Sequence, residues 1–463
     1  MRIPKSIWLV CLLAAAPLAA GETLQVLPPL ATSGDALPAV STDVDGPAIS
    51  RDGVVQPASI AIAGPETLPQ PAPDPALTIQ ALEELALAGN PTLAQAAARI
   101  EALRGRWVQV GLPPNPTAGY LGSEIGNDGR GGQQGGFAGQ DYITGNKLQL
   151  NRAVVAQEIQ QAEQRLIATA LRVRTDVRKA GYAALIAQRR VQLANDLVRL
   201  SGQAVAASQE LLKAEEIPLA GLLQTEVEQQ NAQLLLQTAG NDLNAAWQQL
   251  SAVIGQDLPV QTLAGDVSQL PAALMWDEVL IRITASSPEL GAAMTEIVQA
   301  QAALRRAYAE PVPDVSTQLS VQYDDSTNDT IVGAQVGIPL PLWNRNQGGI
   351  RQARAEIAEA QRNAVRVEMD LKQRLARVYQ TYASARARAE TYASSILPKA
   401  QQTIELAQQG YGSGEVGYLD LITAQRTYSQ TNLAYIESLE NLWSSWAEID
   451  GMLLTGSLIA PVE

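Results

Sequence analysis

Asp314-Val315-Ser316-Thr317-Gln318-Leu319-Ser320-Val321-Gln322-Tyr323 alternates polar and apolar side chains along its whole length. Val315, Thr317, Leu319, Val321 and Tyr323 share one face of a strand, and Asp314, Ser316, Gln318, Ser320 and Gln322 the other. About ten residues is the length that a tilted strand needs to cross a bilayer. After the turn Asp324 to Asp329, Val332, Ala334, Val336 and Ile338 alternate with Ile331, Gly333, Gln335 and Gly337, which are mostly small or polar. The pattern predicts a hairpin with strands at about 314–323 and 330–339. In isolation such a hairpin is better described as a half-buried soluble sheet. Its surroundings decide between the two.

Those surroundings are helical. Ile350, Ala353, Ile357, Ala360, Ala364, Val367, Leu371, Leu375, Val378, Tyr382, Ala385, Ala389, Tyr392 and Ile396 step by threes and fours, averaging about 3.5 residues. A second seam runs from Ile159 through Val173, Val177 and Ala187 to Val198. Both are alanine-rich, so each buries little and lets neighbouring helices approach closely. A helix over 152–212 is about 90 Å long, and its return helix over 219–254 about 54 Å. A short helix over 91–110 adds about 30 Å, so the two shorter helices laid end to end match the long one. The same proportions recur with 346–411 against 418–454 plus 288–309. Each half is one long helix flanked by two stacked short ones, as a tube requires and a globular core does not. Nothing else is present to cover hairpins at the ends of such helices, which favours lipid.

The halves are a duplication. Asn90-Pro91 and Ser287-Pro288 are matching helix starts, each an N-cap followed by proline at the first helical position. Pro116 and Pro313 keep the same offset; Asn151-Arg152 then pairs with Asn344-Arg345, and Glu216-Ile217 with Glu415-Val416. The repeats are placed at 77–265 and 266–457, with a short tail at 458–463. The first-half strands are expected at about 116–125 and 141–150. Between them, 126–139 holds seven glycines in fourteen residues; it lacks the Gly-Lys-Ser/Thr ending of a phosphate cradle and reads as an extracellular loop. Four strands cannot close a barrel, and open edges are not tolerated in lipid, so the chain must oligomerise. Trp107 and Trp343 stand at the helix–strand junctions, where an interfacial aromatic belt and plain junction packing are equally good readings.

Arg2 and Lys5, the apolar run Ile7 to Ala16 and the small residues Ala19-Ala20-Gly21 read as a secretory signal peptide over 1–21. Cys11, the only cysteine, lies in its apolar core. Residues 22–76 carry ten prolines and few large apolar side chains, a flexible linker. No later segment reaches 18 consecutive apolar residues, so any span must be made of strands. The chain contains no histidine, so no His-based triad or His/Cys zinc site can be drawn. No enzyme activity and no cofactor are expected. Only 17% of its 463 residues are charged and 4% aromatic, against one ordinary globule, and the formal charge of −14 repels nucleic acid.

Leu82-Glu83-Glu84-Leu85-Ala86-Leu87-Ala88-Gly89-Asn90-Pro91-Thr92-Leu93, with the duplicated plan around it, resembles the opening of TolC-type outer membrane efflux proteins. Pro113-Pro114-Asn115-Pro116 resembles the branch associated with heavy-metal cation export. The resemblance covers about 78–455. It implies a mainly α fold with transmembrane β: long coiled-coil helices forming a periplasmic α-barrel, and four strands per chain in a homotrimeric 12-stranded outer membrane barrel. The second helix tip, Tyr411-Gly412-Ser413-Gly414-Glu415-Val416-Gly417-Tyr418-Leu419-Asp420, is similar to the family's tip pattern. That similarity places Tyr411 at the turn and Asp420 at the channel entrance. The family's gate-holding Arg and second Asp are replaced by Val416 and Thr423, which puts a salt-bridged lock of that kind in doubt. Asp420 in three copies would ring the narrowest point with carboxylates; a helix-start Asp held by the helix dipole is the competing reading. Glu215 and Glu216 form the matching first tip, and with Glu415 they would dock a periplasmic adaptor. The resemblance also implies an inner-membrane pump of RND or ABC type, outer membrane lipid as surroundings, and passive conduction of substrates such as metal cations or small toxic compounds. A soluble periplasmic coiled-coil adaptor or tether is the alternative; it would normally show one helical hairpin, not two duplicated halves.

Overall fold

The computed structural model describes residues 77–126 and 129–459. The expected signal peptide, Cys11, the proline-rich linker and residues 460–463 lie outside them.

A short strand β1 (Leu77–Thr78) leads into α1 (Ile79–Gly89) and α2 (Pro91–Gln109). Strands β2 (Thr117–Ser123) and β3 (Gln133–Tyr142) precede α3 (Lys147–Lys213), which returns through α4 (Leu219–Ile254) to a short β4 (Leu263–Ala264). The second half repeats this order: α5 (Trp276–Ser286), α6 (Pro288–Ala309), β5 (Val315–Asp324) and β6 (Asp329–Gly337). It continues with α7 (Gln347–Thr391), α8 (Leu397–Gly412) and α9 (Tyr418–Asp450). The helix starts are capped as the sequence indicates. Asn90 accepts from the Thr92 N–H at 2.9 Å, Ser287 accepts from Leu290, and Pro91 and Pro288 open their helices.

The helices form a wall. α3 packs against α2 and α6 along one stretch and against α4 and α9 along the other, and α7 packs against α6 and α9. The short helices stack end to end: the Asn90 amide, at the start of α2, donates to the Val253 carbonyl near the end of α4 at 2.7 Å. Along α7 the buried positions are Ala353, Ala360, Ala364, Leu371, Leu375, Tyr382, Ala385 and Ala389, the expected seam. Burial is deepest midway, where Leu82, Val173, Val177, Trp247, Leu250, Ile254, Val279, Leu371 and Leu442 share one cluster. An ion-pair belt surrounds it. Arg178 reaches Glu83 and Asp450, both at 2.5 Å, while Glu289 receives both Arg172 and Arg374. Most of these side chains are half-buried, which gives their pairing more weight than that of an exposed bridge.

Two expectations change. The second first-half strand is at Gln133–Tyr142, not 141–150. Asn146 adopts a left-handed conformation (φ 59°) and turns the chain, so that 147–150 are already the first turn of α3. The stretch 126–139 is therefore not all loop. Three of its seven glycines, Gly135, Gly136 and Gly139, belong to β3, and Gly135 is required there: a Cβ would fall 1.9 Å from the Val321 carbonyl oxygen of β5. The second long helix is also interrupted, by a π turn at Tyr392–Ile396. Pro398 has no N–H for the Ser394 carbonyl and its ring would clash with it; the Leu397 N–H bonds instead to Tyr392, and the wider turn moves that carbonyl aside.

Replacing Gly135 by Ala should force β3 and β5 apart and cost about 1–3 kcal/mol, lowering the melting temperature in detergent. Gly136→Ala is the control, because its Cβ would meet only the Gly119 oxygen, at 3.6 Å. Equal melting of the two variants would contradict this register.

Candidate channel entrance and membrane-spanning sheet

The four long strands form one antiparallel sheet in the order β2-β3-β5-β6. The two hairpins join where β3 pairs with β5, Phe137 opposite Ser320 and Ala138 opposite Leu319. β2 and β6 are left as open edges. Register and pleat separate most of the side chains by polarity. One face carries Tyr120, Ala138, Tyr142, Leu319, Val321, Tyr323, Val332 and Val336. These are exposed large apolar groups: Leu319 is 62% exposed, Val332 70% and Val336 72%. The opposite face carries Gln318, Ser320, Gln322, Gln335 and glycines. Tyr120 and Tyr323 stand toward one end of the apolar face and Tyr142 at the other, as in a membrane strand's aromatic girdles. Trp107 is a junction-packing residue, with the Arg152 guanidinium 4.6 Å over its ring. Trp343 is 86% exposed, as an interfacial anchor would be.

Ahead of β5, Asp314 ties the halves together. It accepts from the Thr144 N–H at 2.8 Å and from the buried Lys147 ammonium at 3.0 Å. Burial favours its neutral form, but these donors outweigh burial and hold the carboxyl below the usual carboxylate range.

At the far end of the wall the two tips close in the same way. Glu215 (φ 62°) and Gly414 (φ 77°) each end a long helix in the left-handed conformation. The N–H groups of Glu216 and Glu415 reach back to the Leu211 and Gly410 carbonyls, each at a Schellman turn. Val416 then packs over Gly410, where a Cβ would meet it at 2.4 Å. Glu215, Glu216, Glu415 and Asp420 are all exposed, and Glu216 lies beside Gly414, so the two tips are adjacent. Asp420 is in the first turn of α9, where the helix dipole favours its charge. Tyr411 is buried, 2% exposed, and its hydroxyl is 2.8 Å from that of Ser208 on α3. It fastens α8 to α3; it does not line an opening.

One contact was not anticipated from the sequence. Arg426 of α9 bonds the Glu228 carboxylate of α4, through Nε at 2.8 Å, at near-equivalent places in the two repeats. The repeat offset, with opposite charges at its two ends, is the signal that marks the pair. Beneath it lies an open groove of about 310 Å³ lined by Leu197, Ser201, Ala232, Ile404 and Gln425. Among the described residues no cluster of three or more His, Cys, Asp or Glu could hold a metal ion, and no helix is long and apolar enough to cross a membrane.

A two-faced sheet of membrane-strand length at one end of a long helical wall defines a channel-forming protein of the outer membrane. Comparison with known proteins gives the same class. The family model described as outer membrane efflux protein matches residues 279–453, the second repeat. The cobalt-zinc-cadmium resistance protein CzcC of Cupriavidus metallidurans is 28% identical over 382 residues, spanning 81% of this chain and 90% of the relative. Crystal structures of CusC superpose with a TM-score of 0.67 at 17% identity, covering 85% of this chain and 99% of CusC. The outer membrane protein VceC from Vibrio cholerae gives 0.63 at 18%, covering 82% and 96%. This chain matches the outer membrane efflux protein family over its second repeat and resembles CzcC along most of its length. It is an outer membrane exit duct with a large periplasmic portion.

Tyr411→Phe removes one buried hydrogen bond and should cost about 0.5–1.5 kcal/mol. Hydrogen exchange should then quicken over residues 408–420 and stay unchanged at the centre of α3. Equal acceleration in both places would contradict a local fastening.

Proposed function

We propose that three copies of this chain close a twelve-stranded barrel over a periplasmic helical tunnel, and that the duct passively carries metal cations outward without catalysing any reaction. The carrying observation is the four-stranded sheet with an apolar outer face and two unpaired edges, β2 and β6. In lipid those edges must find partners, and β6 of one copy has the direction needed to pair with β2 of the next. The cargo reading rests on the likeness to CzcC, whose name specifies cobalt, zinc and cadmium resistance. Its partners are a periplasmic adaptor and an inner-membrane pump of the RND or ABC type. The mature chain begins after a signal peptide ending near residue 21, and its repeats divide at about 265. The adaptor meets the exposed tips at Glu215, Glu216 and Glu415, and three Asp420 carboxylates ring the entrance that Tyr411 and Ser208 help to hold.

Asp420→Ala should lower the cation-over-anion permeability ratio about twofold or more, and weaken block by divalent cations. Reversal potentials in a salt gradient across a planar bilayer measure it; an unchanged ratio and unchanged block would remove Asp420 from the entrance. Glu216→Lys with Glu415→Lys should abolish metal resistance in cells while conductance is kept, and retained resistance would exclude these tips as the docking end.

A further inference from the structure

Phe137 is the only phenylalanine of the chain, and it stands on the polar face of the sheet. Its cross-strand neighbours are Gly119 and Ser320, and Ser320 in turn faces Gly333. Along β3 the same face holds Gly135 and Gly139 on either side of it. The ring leans over Gly119, where a Cβ would meet its Cε1 at 2.6 Å. No side chain rises from the surrounding glycines to cover it, and Phe137 remains partly exposed. Closure of a barrel leaves it uncovered as well, because β3 already has both neighbours, β2 and β5, from its own chain. Apart from Leu121 and Ile331 on the edge strands and the carboxylates Asp141, Asp324 and Asp329 near the strand ends, this face offers amides, hydroxyls and bare backbone. A ring over a strand glycine can serve as packing alone. An apolar residue that merely filled this space need not be aromatic, and its own exposure to water is unfavourable.

We propose that Phe137 and its two symmetry copies form an aromatic contact site inside the barrel for solutes that carry an aromatic or quaternary onium group. That is the chemistry the amide-and-hydroxyl wall around it lacks. Aromatic and cation–π contacts are individually weak, enough for brief retention and too little to trap a solute. The inference rests on the trimeric barrel proposed above, which turns this face toward the lumen.

The test uses the full-length channel in a planar bilayer, with tetraphenylphosphonium as the probe and Mg²⁺ as the hydrated-cation control. Tetraphenylphosphonium should interrupt the wild-type current. Phe137→Leu, which keeps an apolar cover over Gly119, should weaken that block about tenfold, Phe137→Tyr should retain it, and neither should alter the effect of Mg²⁺. Absence of block in the wild type, or equal block in wild type and Phe137→Leu, would overturn the site. The barrel reading is tested separately in a Cys11→Ala background. A charged, membrane-impermeant thiol reagent should reduce the current through Phe137→Cys and leave Val321→Cys untouched. Reaction at 137 with an unchanged phosphonium block defeats only the contact site, whereas reaction at 321 and none at 137 defeats the barrel beneath it.

Discussion

The backbone groups along the outer edges of β2 and β6 have no partner strand among the described residues, and hydrocarbon offers none. Each unsatisfied N–H or C=O in lipid costs several kcal/mol, so a strand left open over its length is far outside what a folded chain tolerates. The rest of the architecture answers that constraint. The sheet must be closed by further copies, the copies need a common axis, and a wall of long, nearly straight helices is what extends such a ring into a tube. The apolar face bearing Leu319, Val321, Val332 and Val336 is costly in water and suits the same closure, because it turns toward lipid.

The helical wall meets a different requirement, that of being thin and continuous. Alanine seams at 353, 360, 364, 385 and 389 bring helices close without building a thick core. Stability is concentrated where the stacked short helices meet, around Trp247, Leu250 and Leu442 and the ion pairs of Arg178 and Glu289. The tips contain little of this. Their order depends on two Schellman turns, a small buried cluster around Ile404, Tyr411 and Leu421, the Tyr411–Ser208 hydrogen bond and the Arg426–Glu228 pair. A periplasmic end held by few contacts can rearrange while the mid-wall cluster stays intact.

Much of this is written in local signals. Asn90-Pro91 and Ser287-Pro288 mark helix starts because capping is chemistry of neighbouring residues. β5 is visible because its two faces meet different solvents, and its side chains follow them. β3 is hidden for the converse reason. Glycine and alanine occupy both of its faces, since its backbone must approach that of β5 at Gly135, and the period of two disappears. The π turn at 392–396 could be suspected from Pro398 but not placed, because a single proline permits several local solutions. Arg178 and Arg426 resemble any other surface arginine until helices distant in sequence set Glu83, Asp450 and Glu228 beside them. At the candidate entrance, Asp420 and the tip glutamates stand out in the sequence, whereas Ser208 gains meaning only once α8 lies against α3.

Closure of the open sheet edges by identical copies is what the whole architecture requires. Native mass spectrometry of the protein extracted from outer membranes in mild detergent measures this directly. Three chains in one complex is the predicted result. A monomer that persists at all detergent concentrations, with no higher assembly, would contradict it.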